Sequence, residues 1–187
     1  MKSVAVVVTA RSSYARIKTA LEAMEKHPDL DVTALVMQSA TMPKYGEIRE
    51  PLPVQTIKVP IYPDRSMSPS WRVSEQLVYL DAKVKEYDAV VTVADRMETL
   101  ATAIATRYNN VPLCHIQGGE VSGNTDHYVR NAITQLADLH LVATERSAQR
   151  VKTMLRSHHA PVYVTGCPSI DLCQPVSYTH LTLPTIY

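Results

Sequence analysis

Short β-branched runs alternate with amphipathic stretches along the chain. Val4–Val8 is apolar at every position, the pattern of a strand covered on both faces. Ser13–Lys26 instead spaces Ile17, Ala20, Leu21 and Met24 along one helical stripe. The alternation continues with strands over Val32–Val36, Val54–Val59, Ala89–Val93, Pro112–Ile116, Leu139–Ala143 and Val162–Val164. Helices are expected over Ser70–Glu86, Met97–Arg107, Asp126–Ala137 and Glu145–Ser157, the first with Val73, Leu77, Leu80 and Val84 on one face. Thr41–Pro53 and the stretch through Pro60, Pro63 and Pro69 read as irregular connections. Seven short strands separated by helices require parallel crossovers. The class is therefore α/β, with a doubly wound, mainly parallel sheet in one domain over residues 1–173. Ligands of such sheets bind in the crevice beyond the carboxyl ends of the strands. Attention falls on the loops after residues 8, 93, 116, 143 and 164.

Composition narrows the function classes. Hydrophobic residues make up 45% of the 187 and charged residues 20%, with a net charge of +1. Such a balance gives no general attraction to nucleic acid or to an anionic membrane. No apolar run is long enough to span a bilayer, and the first residues lack the apolar stretch of a signal peptide, so a cytoplasmic protein is expected. Cys114, Cys167 and Cys173 are odd in number and form no CxxC pair, which disfavours a disulfide framework or a zinc site. Glycine is scarce, five residues in all, and Gly118, Gly119, Gly123 and Gly166 follow directly on apolar runs.

The candidate chemistry lies at those strand ends. TARSSYARIK, Thr9–Lys18, is neither GxGxxG nor a P-loop, which disfavours a nicotinamide cofactor. It places Arg11, Ser12 and Ser13 at a helix start, either as an anion site or as an ordinary cap beside a solvated arginine. Asp95, after the fourth strand, is a helix cap or a carboxylate at the crevice mouth, and Arg96 and Glu98 read as solvated helix-start residues. His115 ends the fifth strand, and Gln117 leads into a Gly118–Gly119 turn that lets backbone approach a ligand, with Glu120 just beyond. Asp126 and Arg130 are four apart on one helical face, as a surface ion pair or as an active-site edge. The crowding of His, Glu, Asp and Arg around glycines favours the edge. Cys167, in GCPSID, has no evident base partner and reads as structural.

Four segments in order resemble the hydrolysing UDP-N-acetylglucosamine 2-epimerases of sialic-acid and related nonulosonate pathways. They are TARSSYARIK, ADRMETLATAIA, HIQGGEVSGNTDHYVR with the NAITQLADLHLVATE that continues it, and GCPSID, together covering roughly residues 3–173. The resemblance implies a GT-B-like enzyme of two Rossmann-like domains with the active site between them, this chain being the N-terminal half. It implies elimination of UDP from UDP-GlcNAc, then hydration of the resulting 2-acetamidoglucal to N-acetylmannosamine, with no cofactor and no metal. Asp95 and Asp126 match the family's acid–base carboxylates, and Glu120 lies in its Gly-Gly-Glu motif. Arg11 and Arg130 match arginines facing phosphate or substrate. Ser13, His115, Gln117, Gly118 and Gly119 complete the expected substrate contacts. Self-association stays open.

Two positions depart from the pattern. Gln117 stands where many relatives carry Glu or His, and can hydrogen-bond but cannot exchange a proton. His127 stands where an acidic residue is common. The second domain, with the uridine pocket and a catalytic histidine, is expected to be missing from this chain. Gln174–Tyr187 contains no Asp, Glu, Lys or Arg, and from Val176 onward resembles translated adapter sequence, so a non-native tail is expected there. The alternatives are a non-hydrolysing epimerase, another GT-B sugar-nucleotide enzyme, or a non-catalytic sugar-nucleotide-binding domain. Carboxylates in a crevice are not core residues, so Asn at position 95 or 126 is expected to spare folding.

Overall fold

A computed structural model describes residues 1–43, 46–60, 68–156 and 160–173. The expected tail, residues 174–187, lies outside them, as do Pro63 and Ser157. Among the described residues seven parallel strands form a single sheet: β1 (Lys2–Val8), β2 (Leu30–Val36), β3 (Gln55–Lys58), β4 (Ala89–Val93), β5 (Leu113–Ile116), β6 (Leu139–Val142) and β7 (Val162–Val164). Their order is β3-β2-β1-β4-β5-β6-β7. β1 is central, with Val4 opposite Val32 on one side and Ala89 on the other.

The helices are α1 (Arg11–Ala15), α2 (Lys18–Glu25), α3 (Gln38–Thr41), α4 (Pro69–Lys83), α5 (Met97–Tyr108), α6 (Thr125–Leu136), α7 (Glu145–Met154) and α8 (Pro168–Asp171). Alternate β1 side chains feed two cores, because successive strand residues point to opposite faces. Ala5 and Val7 pack with Leu80, Ala101 and Ile133 of α4, α5 and α6. Val4, Val6 and Val8 pack with Tyr14, Ile17 and Leu21 on the α1–α2 side. Both faces of β1 are thus covered, as its unbroken apolar run requires. α4 starts on Pro69 with the Ser68 hydroxyl accepting from the Trp71 N–H, so its first turn is capped.

Two elements differ from expectation. The helix expected over Ser13–Lys26 is broken into α1 and α2 at Arg16 and Ile17. Their N–H groups bond the carbonyls of Ser13 and Tyr14, three residues back, and Ile17 leaves helical geometry with φ −130° and ψ −6°. The kink carries the chain around the carboxyl edge of β1 while Ile17 stays fully buried. The turn expected at GCPSID continues into a single helical turn, α8, whose Pro168 carbonyl and Asp171 carboxylate accept weakly from the Thr19 hydroxyl.

Candidate active site

The strand order reverses between β1 and β4, so the chain leaves their carboxyl ends toward opposite faces and opens a crevice. One wall is the loop after β1 and the other the loops after β4 and β5. Ala94 and Gln117, the residues directly after β4 and β5, both have left-handed backbone, with φ 65° and 63°. Each first adds one more rung to the sheet, Ala94 N–H to the Ile116 carbonyl and Gln117 N–H to the Leu141 carbonyl. A non-glycine residue in this region costs on the order of 1 kcal/mol. That cost is tolerated where the surrounding bonds re-aim the chain.

The turn at Ala94 directs Asp95 toward α6. Arg130, 4% exposed, donates through Nη2 to Asp95 Oδ2, and through Nη1 to the Glu120 carbonyl at 2.8 Å and to Ser122 Oγ at 3.3 Å. A single guanidinium therefore fastens the β4 loop to the Gly-Gly-Glu loop. Burial holds the Arg130 pKa below its ordinary value, with the charge of Arg16 adding to the effect. Arg16, at the α1–α2 junction, thus bears on the same edge, a role that no pattern in the sequence signals.

The surface ion pair that the spacing of Asp126 and Arg130 allows is not formed. Arg130 turns inward to Asp95, because its side chain lies on the buried face of α6 with Val129, Ile133 and Thr134. Asp126, in the first turn of α6, instead accepts from the Asn124 side chain at 3.0 Å. His115 also differs from its expected role. The ring is fully buried beneath the crevice floor, with Nε2 2.9 Å from the Ala94 carbonyl and Nδ1 3.3 Å from the Thr134 hydroxyl. Nε2–H donates and Nδ1 accepts. Burial, outweighing the bond to Ala94, lowers its pKa to about 4, so the ring is a neutral brace for the strained turn and not a ligand contact.

The Gly118–Gly119 turn packs against protein where a ligand was expected. A Cβ on Gly118 would lie 3.2 Å from His115 Nδ1 and from Thr134 Oγ1. A Cβ on Gly119, at φ +77°, would lie 2.3 Å from the Ser147 carbonyl in α7. The glycines let the loop press onto α6 and α7. Ser13 is likewise buried, its hydroxyl 2.7 Å from that of Thr9, and the N-cap of α1 is Ala10. Arg11 is exposed, its guanidinium lying over the backbone of Gly46. Gln117 is 3% exposed; its amide nitrogen donates to Cys167 Sγ at 3.1 Å and its Oε1 is buried without a partner among the described residues. Glu120 reaches the edge through its carbonyl and also borders a separate cleft between α6 and α7.

Glu98, by its place in the sequence a solvated helix-start residue, is buried. It accepts from Ser39 Oγ at 2.6 Å and from Arg96 Nε at 3.2 Å, tying the β2 loop to the start of α5. A signal existed in the small-residue run after it: α5 also buries Thr99, Ala101, Thr102 and Ala103, which leaves little polar face for a carboxylate.

Sheet order, switch-point crevice and the Asp95–Arg130 edge define a Rossmann-like domain in which carboxylate and guanidinium groups replace a glycine-rich dinucleotide loop. Residues 22–185 match the family described as UDP-N-acetylglucosamine 2-epimerase. The chain belongs to that family. It is 27% identical over 179 residues to the UDP-N-acetylglucosamine 2-epimerase of Neisseria meningitidis serogroup B, covering 92% of this chain and 47% of that protein. It is 43% identical over 84 residues to the UDP-N,N'-diacetylbacillosamine 2-epimerase (hydrolyzing) of Legionella pneumophila, covering 45% of this chain and 22% of that one. The fold matches the S. aureus MnaA–UDP co-structure with a TM-score of 0.74 at 19% identity, over 97% of this chain and 50% of that chain. The domain is thus a Rossmann-like half of a GT-B-like fold. The chain spans about half the length of the Neisseria relative and of the matched structures.

Proposed function

We propose that the protein to which this chain corresponds is a hydrolysing UDP-N-acetylglucosamine 2-epimerase, or acts on a close 4,6-modified UDP-sugar. The observation that carries the reading is the Asp95–Arg130 pair, locked to the Gly-Gly-Glu loop at the switch point. It is supported by the hydrolysing activity in the names of the Legionella and Campylobacter jejuni relatives. In the reaction a base removes the C2 proton as the C1–O bond to UDP breaks, giving the 2-acetamidoglucal. Water then adds across that double bond, hydroxyl to C1 and proton to C2, giving N-acetylmannosamine. The carboxylates of Asp95, Asp126 and Glu120 supply the acid–base groups. Arg11 and Arg16 meet the leaving diphosphate, with Arg130 holding Asp95 in place. Gln117, with its unpartnered Oε1, accepts a hydrogen bond from the sugar in place of proton exchange.

The reading extends to a cytoplasmic enzyme; among the described residues no helix is long and apolar enough to cross a membrane. It also extends to residues 1–173 as an N-terminal domain whose catalysis needs a second domain opposite the crevice, so the 187-residue chain alone turns over poorly. The test is product analysis on the chain and on a version continued through its native second half, with UDP-GlcNAc and with UDP-N,N'-diacetylbacillosamine. Free 2-epimerised sugar plus UDP from the longer version supports the reading. UDP-N-acetylmannosamine as the product assigns the non-hydrolysing reaction instead, and parent-like turnover by the 187 residues alone overturns the need for a second domain.

A further inference from the structure

The loop that Arg130 fastens to Asp95 has a second side. Between α6 and α7 lies a cleft of about 500 Å³, bordered by Gly119 and Glu120 and walled by side chains that include Arg146, Arg150 and His127. That is the size of an ordinary small-molecule site. Arg146 and Arg150 are one turn apart on α7, so they share a face. Neither is ion-paired among the described residues. Among the described residues Arg150 Nη1 donates to the Gly119 carbonyl, at 3.2 Å. Opposite, on α6, the Asn131 amide lies 3.2 Å from His127 Nε2. With the amide nitrogen donating, Nδ1 of that ring carries the proton, and Nδ1 is buried without a partner among the described residues. Two guanidiniums thus face one cavity, with Glu120 as the single acidic residue among its described lining.

We propose that the α6–α7 cleft is a binding site, distinct from the switch-point crevice, for a small molecule bearing a phosphate or carboxylate group. Planar guanidinium forks match both anions in bidentate geometry. The site bears on the Asp95–Arg130 edge, catalytic on the function proposed above, through this loop. Arg150 holds the Gly119 carbonyl, and Arg130 holds the next one, of Glu120, at 2.8 Å. An anion that draws Arg150 away releases one of the two clamps on that loop.

Amide chemical-shift titration of the full 187-residue chain tests this, with inorganic phosphate and malonate as separate probes at constant ionic strength against chloride. Saturable shifts are expected at Gly119, Glu120, Asn131 and Arg150, with affinity falling at least tenfold in the R146Q/R150Q double variant. A K2Q/R107Q control, which removes two positive charges from ion pairs elsewhere on the surface, keeps the binding. Saturation by phosphate or by malonate alone identifies which form of the anion the cleft takes. Shifts that chloride reproduces, shifts confined to residues 11–13, or undiminished binding by R146Q/R150Q overturn the proposal. None of these readouts depends on epimerase activity, so its failure and that of the proposed function are separable.

Discussion

His115 and His140 sit opposite one another on β5 and β6, and both are fully buried. Burial lowers the pKa of each to about 4, so both rings are neutral at pH 7. They differ in their partners. His115 uses both nitrogens to join the Ala94 turn to α6, whereas neither nitrogen of His140 has a partner among the described residues. The same residue type, one strand apart, is a brace in one place and an unmet polar cost in the other. What a buried polar side chain does follows from the groups around it, and that contrast can be broken or sharpened by substitution.

The largest effect is expected beside His115, where the network carries charge. Arg130→Met leaves the Asp95 carboxylate, 14% exposed, without its cation, and should cost about 3–5 kcal/mol in urea unfolding. Adding Asp95→Leu should restore much of it. Asp95→Asn, once expected to spare folding, should also destabilise, because it strips the counter-charge from a buried guanidinium. A loss below about 1 kcal/mol in Arg130→Met would show that water screens the pair.

Acid should act next. Since the folded pKa of His115 lies near 4 and the unfolded one near 6.5, the unfolded chain binds the extra proton between them. Its contribution is whole above pH 6.5 and is lost as pH falls toward 4, by about 1.4 kcal/mol per pH unit and roughly 3 kcal/mol altogether. His140 acts in the same direction. Unfolding free energies across pH 4–7 that stay flat would contradict neutral burial of both rings.

Removing each ring then separates the two. His115→Phe keeps the volume but strands the Ala94 carbonyl and the Thr134 hydroxyl, for about 2 kcal/mol and faster amide exchange at Asp95. His140→Leu should have the smallest effect, neutral or stabilising by up to about 1 kcal/mol, since it removes two unmet polar atoms. An equal loss in both variants, read from urea midpoints, would erase the distinction between brace and orphan.

Much of the architecture was legible in the sequence because its causes are local. A run such as Val4–Val8 must be covered on both faces, and the stripe through Leu77, Leu80 and Val84 must face a core, whichever elements supply the cover. Seven strands, their parallel sense and the crevice loops follow from that alternation, as do Asp95 and Glu120 as strand-end carboxylates. The site's wiring joins residues far apart in the chain: Asp95 with Arg130 at 35 residues, Gln117 with Cys167 at 50, Ser39 with Glu98 at 59. Helical spacing leaves Arg130 free to pair with Asp126, four residues away, yet the burial of that α6 face sends it to Asp95. Periodicity specifies which face of an element is apolar. Only the order β3-β2-β1-β4-β5-β6-β7, which sets the loops of β2, β4 and β5 along one edge, decides which polar side chains meet there. A buried charge then takes the partner that the sheet brings within reach.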